Sequence, residues 1–440
     1  MKRPFLYLLG ATVLAACGGG GGDSTGTSVA TDANDIPCTG QCASANTLLT
    51  ETDVRQVIAR GVHQAGVLGA AATIAVVDRV GNVLAVYRMG GVGADNDVTI
   101  STGFPTDVST GLEGIVLPVA VGGDALAAIT KAITGAYLSS EGNAFSTRSA
   151  NQIVQEHFNP GEQNQPAGPL FGVQFSQLAC SDFTQASFGI SVGPQRSPLG
   201  LAADPGGFPL YKNGTPVGGV GVIADGRYSI DKNILDTDVD LDEQIALAAT
   251  FGLSAPLDRR ADRITLEGKV FRFSDVAFAD LPADPAQAAD FASLADGGQL
   301  LAVPGYSNAQ VRAGRAFGEP GSGIRPATDF AGPDAFVFVD PATANRYPPR
   351  AGTDTAALGS AAFTAAEVRQ LLSSAITVAN RSRAQIRRPL GSQARVTVSV
   401  VDSQGTLLGM LRTRDAPVFG SDVSLQKART AVLFSSRDAA

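Results

Sequence analysis

The chain has 440 residues but only two histidines, His63 and His157, and that count bounds every metal or acid–base proposal. A Ser-His-Asp hydrolase would need one of them as its base, and neither stands in a supporting motif. Of the four cysteines, Cys38 and Cys42 have three residues between them, a spacing that closes a small disulfide loop in an oxidising compartment. A zinc site there would need two further ligands. Cys180 is left over, and the absence of Cys-x-x-Cys-His excludes covalent c-type haem attachment. Asp236, Asp238, Asp240 and Asp242 alternate like a calcium loop. However, Leu241 stands where such a loop needs glycine and Leu247 where it needs a bidentate glutamate, so helix capping by Asp240 is the better account. Gly218, Gly219 and Gly221 lie inside an apolar strand-like run and not at a strand-to-helix turn, which removes the dinucleotide reading.

The elements that would position these residues come from an internal repeat. Thr50-x-x-Asp53-Val54-Arg55-Gln56-Val57-Ile58 matches Thr364-x-x-Glu367-Val368-Arg369-Gln370-Leu371-Leu372 at an offset of 314. Thr73 through Asp78 and Gly81 to Arg88 matches Thr397 through Asp402 and Gly405 to Arg412 at an offset of 324. Lys131-Ala132-x-Thr134 matches Lys427-Ala428-x-Thr430 at an offset of 296. The spacing predicts a capped helix from Thr50, a hairpin around Arg79-Val80-Gly81, a helix from Asp124 to Leu138 and a third from Ser146 to Phe158. A second hairpin follows around Asn213-Gly214, then a helix from Asp240 to Phe251. Two hairpins make an antiparallel sheet that helices must cover, an α+β arrangement. Copy one therefore spans 47–254, a Pro/Gly/Ala-rich connector 255–360 wraps one or both modules, and an incomplete copy two spans 361–440. Copy two has no counterpart of the second hairpin before Ala440, so the expectation is either a fragment of a longer protein or a sheet completed by a partner.

The duplicated positions carry duplicated charges. Lys131 and Lys427, with Thr134 and Thr430 beside them, and Arg88 and Arg412 are the candidates for holding anionic groups of a ligand; the alternative is helix-start and strand-end charges that reach water. Asp78 and Asp402 are the acidic candidates for ligand contact or catalysis; they follow buried-looking strands at a tight turn, where a carboxylate accepts turn N–H bonds, and that structural role is the better account.

Residues 1–16 read as a bacterial lipoprotein signal: Lys2 and Arg3, an apolar run from Phe5 to Val13, then Leu14-Ala15-Ala16 ahead of Cys17, which would be lipidated. Residues 17–46 form a tether. The expected location is the periplasmic side of the cell envelope, the outer membrane above the inner. Composition agrees: 44% apolar against 17% charged residues can bury a core, and a net charge of −8 excludes nucleic acid as a partner.

The chain resembles the GlcG/HbpS-type haem-binding (haem-degrading) family in Ile74-Ala75-Val76-Val77-Asp78 with Gly81, Lys131-Ala132-x-Thr134, Gly206 to Tyr211, Val217 to Val222 and Asp242-Glu243, with Val398 to Asp402, Gly405, Asp415 to Gly420 and Lys427 to Thr430 in copy two. The resemblance implies a profilin/PAS-like sheet covered by helices, one full module plus a partial one, and haem or a similar planar anion as ligand. A haem site needs an iron ligand, cations for the propionates and an apolar slot. His157, near Ile153 in the third helix, is the better of the two histidines as a ligand; the alternative is a polar residue in the last helical turn, favoured there by the helix dipole. Tyr137, Met89 and Met410 are further choices, and His63 lies on the solvent face. The leading function is a lipid-anchored sensor, carrier or scavenger; an enzyme on the same scaffold, degrading haem or acting on a small hydroxy acid, and a homo-oligomeric assembly module are the alternatives.

Overall fold

Both copies begin with the same local device. Helix α1 (Glu51–Leu68) starts at Thr50, whose Oγ1 accepts the Asp53 N–H at 3.2 Å while the Asp53 carboxylate accepts the Thr50 N–H at 2.6 Å. In copy two the helix at Ala365–Ala379 starts with Thr364 and Glu367 in the same reciprocal bonds, at 3.2 and 2.8 Å. Strands β1 (Thr73–Asp78) and β2 (Val83–Met89) then reverse through Gly81 at φ 84°, with the Asp78 carboxylate accepting the Val80 and Asn82 N–H groups at 3.1 and 2.9 Å. Only glycine adopts that backbone conformation without strain. The counterpart turn places Gly405 at φ 76° and has Asp402 accept from Gln404 and Thr406 at 3.0 and 2.9 Å.

The computed structural model describes residues 47–90, 97–101, 112–158, 162–178, 181–183, 192–234, 236–330, 334–354 and 362–435. The expectations for the signal, the tether, Cys17, Cys38, Cys42 and Cys180 lie outside them. Among the described residues, no helix is long and apolar enough to cross a membrane.

Copy one continues with α2 (Gly123–Leu138), α3 (Thr147–Ile153), β3 (Gly207–Lys212), β4 (Thr215–Ile223) and α4 (Leu241–Ala249). The connector adds β5 (Gly298–Leu300), β6 (Ile324–Pro326) and β7 (Phe336–Phe338). Copy two supplies α5 (Ala365–Ala379), β8 (Thr397–Val401), β9 (Leu407–Arg412) and α6 (Gly420–Ser435). The first sheet has the order β5-β2-β1-β4-β3 and is antiparallel throughout; the second has the order β6-β7-β9-β8. The fold is thus α+β, with helices over antiparallel sheets. Side chains alternate across β1, which is buried on both faces: Ile74 and Val76 join the core under α1 and α4, Ala75 and Val77 the core under α2. The connector is part of both sheets, β5 pairing with β2 and β7 meeting β9 at Phe336 and Arg412.

The third helix is shorter than its sequence pattern. It stops at Ile153 instead of reaching Phe158 because the Ile153 carbonyl, which a continuing helix would offer to His157, accepts the Leu170 N–H at 2.9 Å, and the Gln155 carbonyl accepts the Gly168 N–H at 3.0 Å. His157 therefore lies beyond the helix end.

The copies are joined through Asp415, which follows β9. Its carboxylate meets Arg79 from the copy-one turn at 2.6 Å and Arg387 from the segment before β8 at 2.5 Å, and it accepts the Glu141 N–H through both oxygens at 3.1 and 3.0 Å. Burial alone would push the Asp415 carboxyl up, but the two guanidiniums more than offset this and hold it well below the usual carboxylate range. A carboxyl depressed in the folded state stabilises fully above its unfolded value of ~3.9, and the contribution is lost as pH falls through the folded value. Asp415→Ala should lower stability by about 3–5 kcal/mol in urea unfolding at pH 7, since it strands two buried guanidiniums. The variant should also lose less of its remaining stability than the parent as pH is taken from about 5 downward.

Candidate functional site

A cavity of about 610 Å³ opens beside the β8–β9 turn, between the connector, that hairpin and α6. Main-chain bonds fix the connector here: the Arg346 N–H donates to the Phe338 carbonyl at 2.9 Å, the Met410 N–H to the Tyr347 carbonyl at 3.2 Å and the Arg350 N–H to the Leu408 carbonyl at 2.9 Å. Three guanidiniums line the cavity, Arg346, Arg350 and Arg429, and two aromatic rings, Phe183 and Tyr347, stack at 5.9 Å with 29° between their planes.

The three cations differ in what already holds them. Arg429 binds Asp182, with Nη1 to Oδ1 at 2.8 Å, and donates from Nε to the Gly405 carbonyl at 2.9 Å; that pairing holds the Asp182 carboxyl below its ordinary value. Arg350 donates from Nε to the Leu407 carbonyl at 2.8 Å. Arg346 donates from Nη2 to the Tyr347 hydroxyl at 2.7 Å, and its Cζ lies 5.6 Å from the Phe183 ring centroid. Its Nη1 is buried and has no hydrogen-bond partner, and among the described residues its guanidinium makes no ion pair. Burial pushes the Arg346 guanidinium down. Burial likewise pushes the Tyr347 phenol up, with Arg346 opposing that rise.

A part-buried guanidinium lacking a carboxylate, with one buried and unpartnered nitrogen beside stacked aromatic faces, suits a planar ligand with an acidic group. The volume falls within the ~300–1,000 Å³ common for small-molecule sites. A haem is compatible with this set. Arg346, Arg350 and Arg429 could meet propionates, Phe183 and Leu425 could flank the macrocycle, and Tyr347 belongs to a side-chain type that ligates haem iron.

None of the sequence-derived site residues lines this cavity. Lys131 is fully buried, its ammonium between Asp204 and Asp242, the latter at 2.5 Å. Thr134 Oγ1 donates to the Thr130 carbonyl and accepts the Ala202 N–H, both at 2.8 Å. Arg88 grips Asp124 from Nε and Nη2 at 2.6 and 2.5 Å. Arg412 is buried, donates to the Thr413 and Ala416 carbonyls, and is pushed down to about 9 by burial and by neighbouring Arg79. The anion contacts expected at Lys131 and Arg88 are thus taken up by carboxylates inside the protein, whereas Arg412 is buried against main-chain carbonyls, its Nη1 without a hydrogen-bond partner. Asp78 and Asp402 hold their turns. Lys427 and Thr430 are exposed on α6; Lys427 edges a separate, largely apolar cavity of about 320 Å³, and Thr430 donates to the Gln426 carbonyl at 2.9 Å. His157 Nδ1 lies 3.0 Å from the Gln165 carbonyl. Tyr137 is buried and donates to the Val80 and Gln195 carbonyls at 2.8 and 2.6 Å. In the acidic series, Asp240 caps α4 by accepting the Glu243 N–H at 2.7 Å. Asp231, Asp236 and Asp238 converge, but Arg148 reaches Asp231 and Asp238 at 3.0 and 2.9 Å.

The cavity residues had one sequence signal. Arg312-Ala313-Gly314 and Arg350-Ala351-Gly352 are the same tripeptide, and each arginine N–H donates to the repeat-equivalent carbonyl, Leu84 or Leu408, at 2.9 Å. The Gly314 and Gly352 N–H groups donate to Leu49 and Phe363 at 2.8 and 2.9 Å. The repeat therefore extends into the connector, and a smaller cavity of about 320 Å³ with Tyr306 and Arg312 sits at the copy-one turn.

No family model and no curated protein matches the chain. Among solved structures it is similar to the PduOC:heme complex, at 15% identity over 47% of this chain and 96% of that one, TM-score 0.25. It is similar to Klebsiella pneumoniae protein ORFY, described as family-model DUF336, at 18% identity over 48% and 94%, TM-score 0.25. A double mutant of Streptomyces reticuli HbpS matches at 20% identity over 49% and 93%, TM-score 0.24.

Spectrophotometric titration compared between the parent and Tyr347→Phe should assign Tyr347 an ionisation above that of a free tyrosine. Arg346→Met should raise it further, because the adjacent cation favours the phenolate. A downward shift in that variant would contradict the assigned contact.

Proposed function

We propose that this protein binds a planar anionic small molecule in the cavity at the β8–β9 turn, and that the ligand is haem or a close relative. The observation that carries the reading is Arg346, a mostly buried guanidinium without an ion pair, set against the Phe183–Tyr347 stack. A ligand carboxylate at Arg346 would supply the charge-assisted bond that the buried Nη1 lacks, and exclusion of water around the aromatic walls would strengthen it. Arg350 stands nearer solvent, where a second carboxylate can be met without full desolvation. Haem, when bound, would supply an iron centre for which Tyr347 is the protein ligand, its phenolate favoured by the Arg346 hydrogen bond. The role is carriage, sensing or scavenging, on a chain held at the cell envelope through lipidated Cys17 and facing the periplasm from the outer membrane.

Titration of the purified protein with haemin should give a saturable Soret shift at a stoichiometry of about one. Arg346→Met should weaken binding by roughly 10–100-fold, the worth of one hydrogen bond to a charged group. Tyr347→Phe should change the ferric spectrum, and His157→Ala should leave it unchanged. Absence of saturable binding by haemin and by metal-free protoporphyrin would overturn the reading. Binding of both with no effect of Tyr347→Phe would keep the planar anion and remove the iron ligand.

A further inference from the structure

The two copies differ most at the edge that follows the repeated hairpin. In copy one, β1 is flanked on its second side by β4, from Thr73 opposite Ile223 to Asp78 opposite Gly218, and β3 lies beyond it. In copy two the equivalent strand, β8, ends the sheet, and among the described residues no strand pairs with its second side. Strand edges of this kind present unpaired N–H and C=O groups and template the addition of another strand.

Copy one also shows what chemistry the missing position requires. Gly219 and Gly221 face α2, and a Cβ on either would fall against the Ala132 or Ala128 carbonyl, so the helix lies directly on the strand backbone. The repeat-equivalent residues of α6, Ala428 and Ser424, are again small, and Ser424 already reaches over β8, its Oγ 2.6 Å from Ser399 Oγ. Fifteen of the 16 residues of α2 are buried but only four of the 16 in α6, which leaves Leu433 and Phe434 64% and 76% exposed. On the opposite face Val378 of α5 is 63% exposed. The apolar cavity of about 320 Å³ lies at the start of β8, between Val396, Thr397 and Val423 on one side and Phe145 of copy one and Phe271 of the connector on the other. Thr397 Oγ1 is buried there without a partner. An antiparallel strand in the copy-one register would bring its C-terminal end, the counterpart of Val222 and Ile223, to that cavity.

We propose that β8 is a docking edge for an extended strand of the β4 type: glycine at the alternate positions that pass under α6, apolar residues between them, and a β-branched end that fills the cavity at Thr397. This surface lies apart from the arginine-lined ligand cavity, so the two proposals stand or fall separately. The occupant is a strand of that chemistry and not a second copy of this chain, because β4, the strand of this type that a second copy would carry, is already paired on both edges by β1 and β3.

A labelled synthetic peptide of residues 215–224 titrated into the full chain tests it by fluorescence anisotropy and amide hydrogen exchange. Expected are saturable binding, new protection at Thr397 and Ser399, and at least a tenfold loss with the peptide carrying Gly219→Val and Gly221→Val. No saturable binding, equal binding of the valine peptide, or protection confined to other strands would overturn the proposal. A concentration-dependent dimer in light scattering, with β8 amides protected before peptide is added, would overturn it in favour of self-association.

Discussion

The architecture turns on a single buried carboxylate. Asp415 belongs to copy two, but the guanidiniums that neutralise it come from the copy-one turn, Arg79, and from the segment leading into β8, Arg387. Each is buried, and none can be left in a low-dielectric interior without the others. Glu141, whose N–H also binds Asp415, is itself paired with Arg414 at 2.6 Å, so the junction draws on both copies from four directions. Neither module can adopt its packed state alone without exposing or stranding these charges. The same junction pins the connector: the guanidiniums of Arg79 and Arg412 lie over the Phe317 ring, 3.7 and 5.4 Å from its centroid. From there the chain pairs β7 with β9 and delivers Arg346, Tyr347 and Arg350 to the cavity.

Duplication followed by divergence explains why the copies do different things with the same residues. Lys131 and Lys427 share a motif, but Lys131 is enclosed by Asp204 and Asp242, which lie in an insertion and at the start of α4, whereas Lys427 remains on an exposed helix face. Copy one has covered its repeat with a second hairpin and a further helix and has become a filled scaffold. Copy two has the larger turn cavity and, among the described residues, no strand on the second side of β8, and both proposed binding surfaces are there.

Local signals were legible. The Thr-x-x-acid starts at Thr50 and Thr364 form the reciprocal caps they encode, the Asp-to-Gly turns hold as carboxylate-bonded reversals, and Asn213-Gly214 closes its hairpin because such features are decided within a few residues. The third helix was overrun because Asn159-Pro160-Gly161 looks like its stop, while the actual stop is a carbonyl captured by Leu170, seventeen positions away. The connector strands β5, β6 and β7 are three residues long, and the pairings that join them to the two copies, β5 with β2 and β7 with β9, are far apart in sequence, so pattern alone could not place them. The cavity escaped for the same reason: a repeated Arg-Ala-Gly tripeptide is too short to weigh until the backbone bonds to Leu84 and Leu408 show that it is structural. Repetition of Lys131, Arg88 and Arg412 was visible, but the counter-charges that enclose or pair the first two, Asp204, Asp242 and Asp124, are nonlocal.

The central claim is that a planar anion occupies the arginine-lined cavity beside Tyr347, and crystals grown with haemin test it through anomalous scattering at the iron edge. The account predicts one iron peak per chain, within bonding distance of the Tyr347 hydroxyl, and propionate density at Arg346. A peak at His157, or haem density bounded by Lys427 with the Arg346 cavity filled only by solvent, would contradict it.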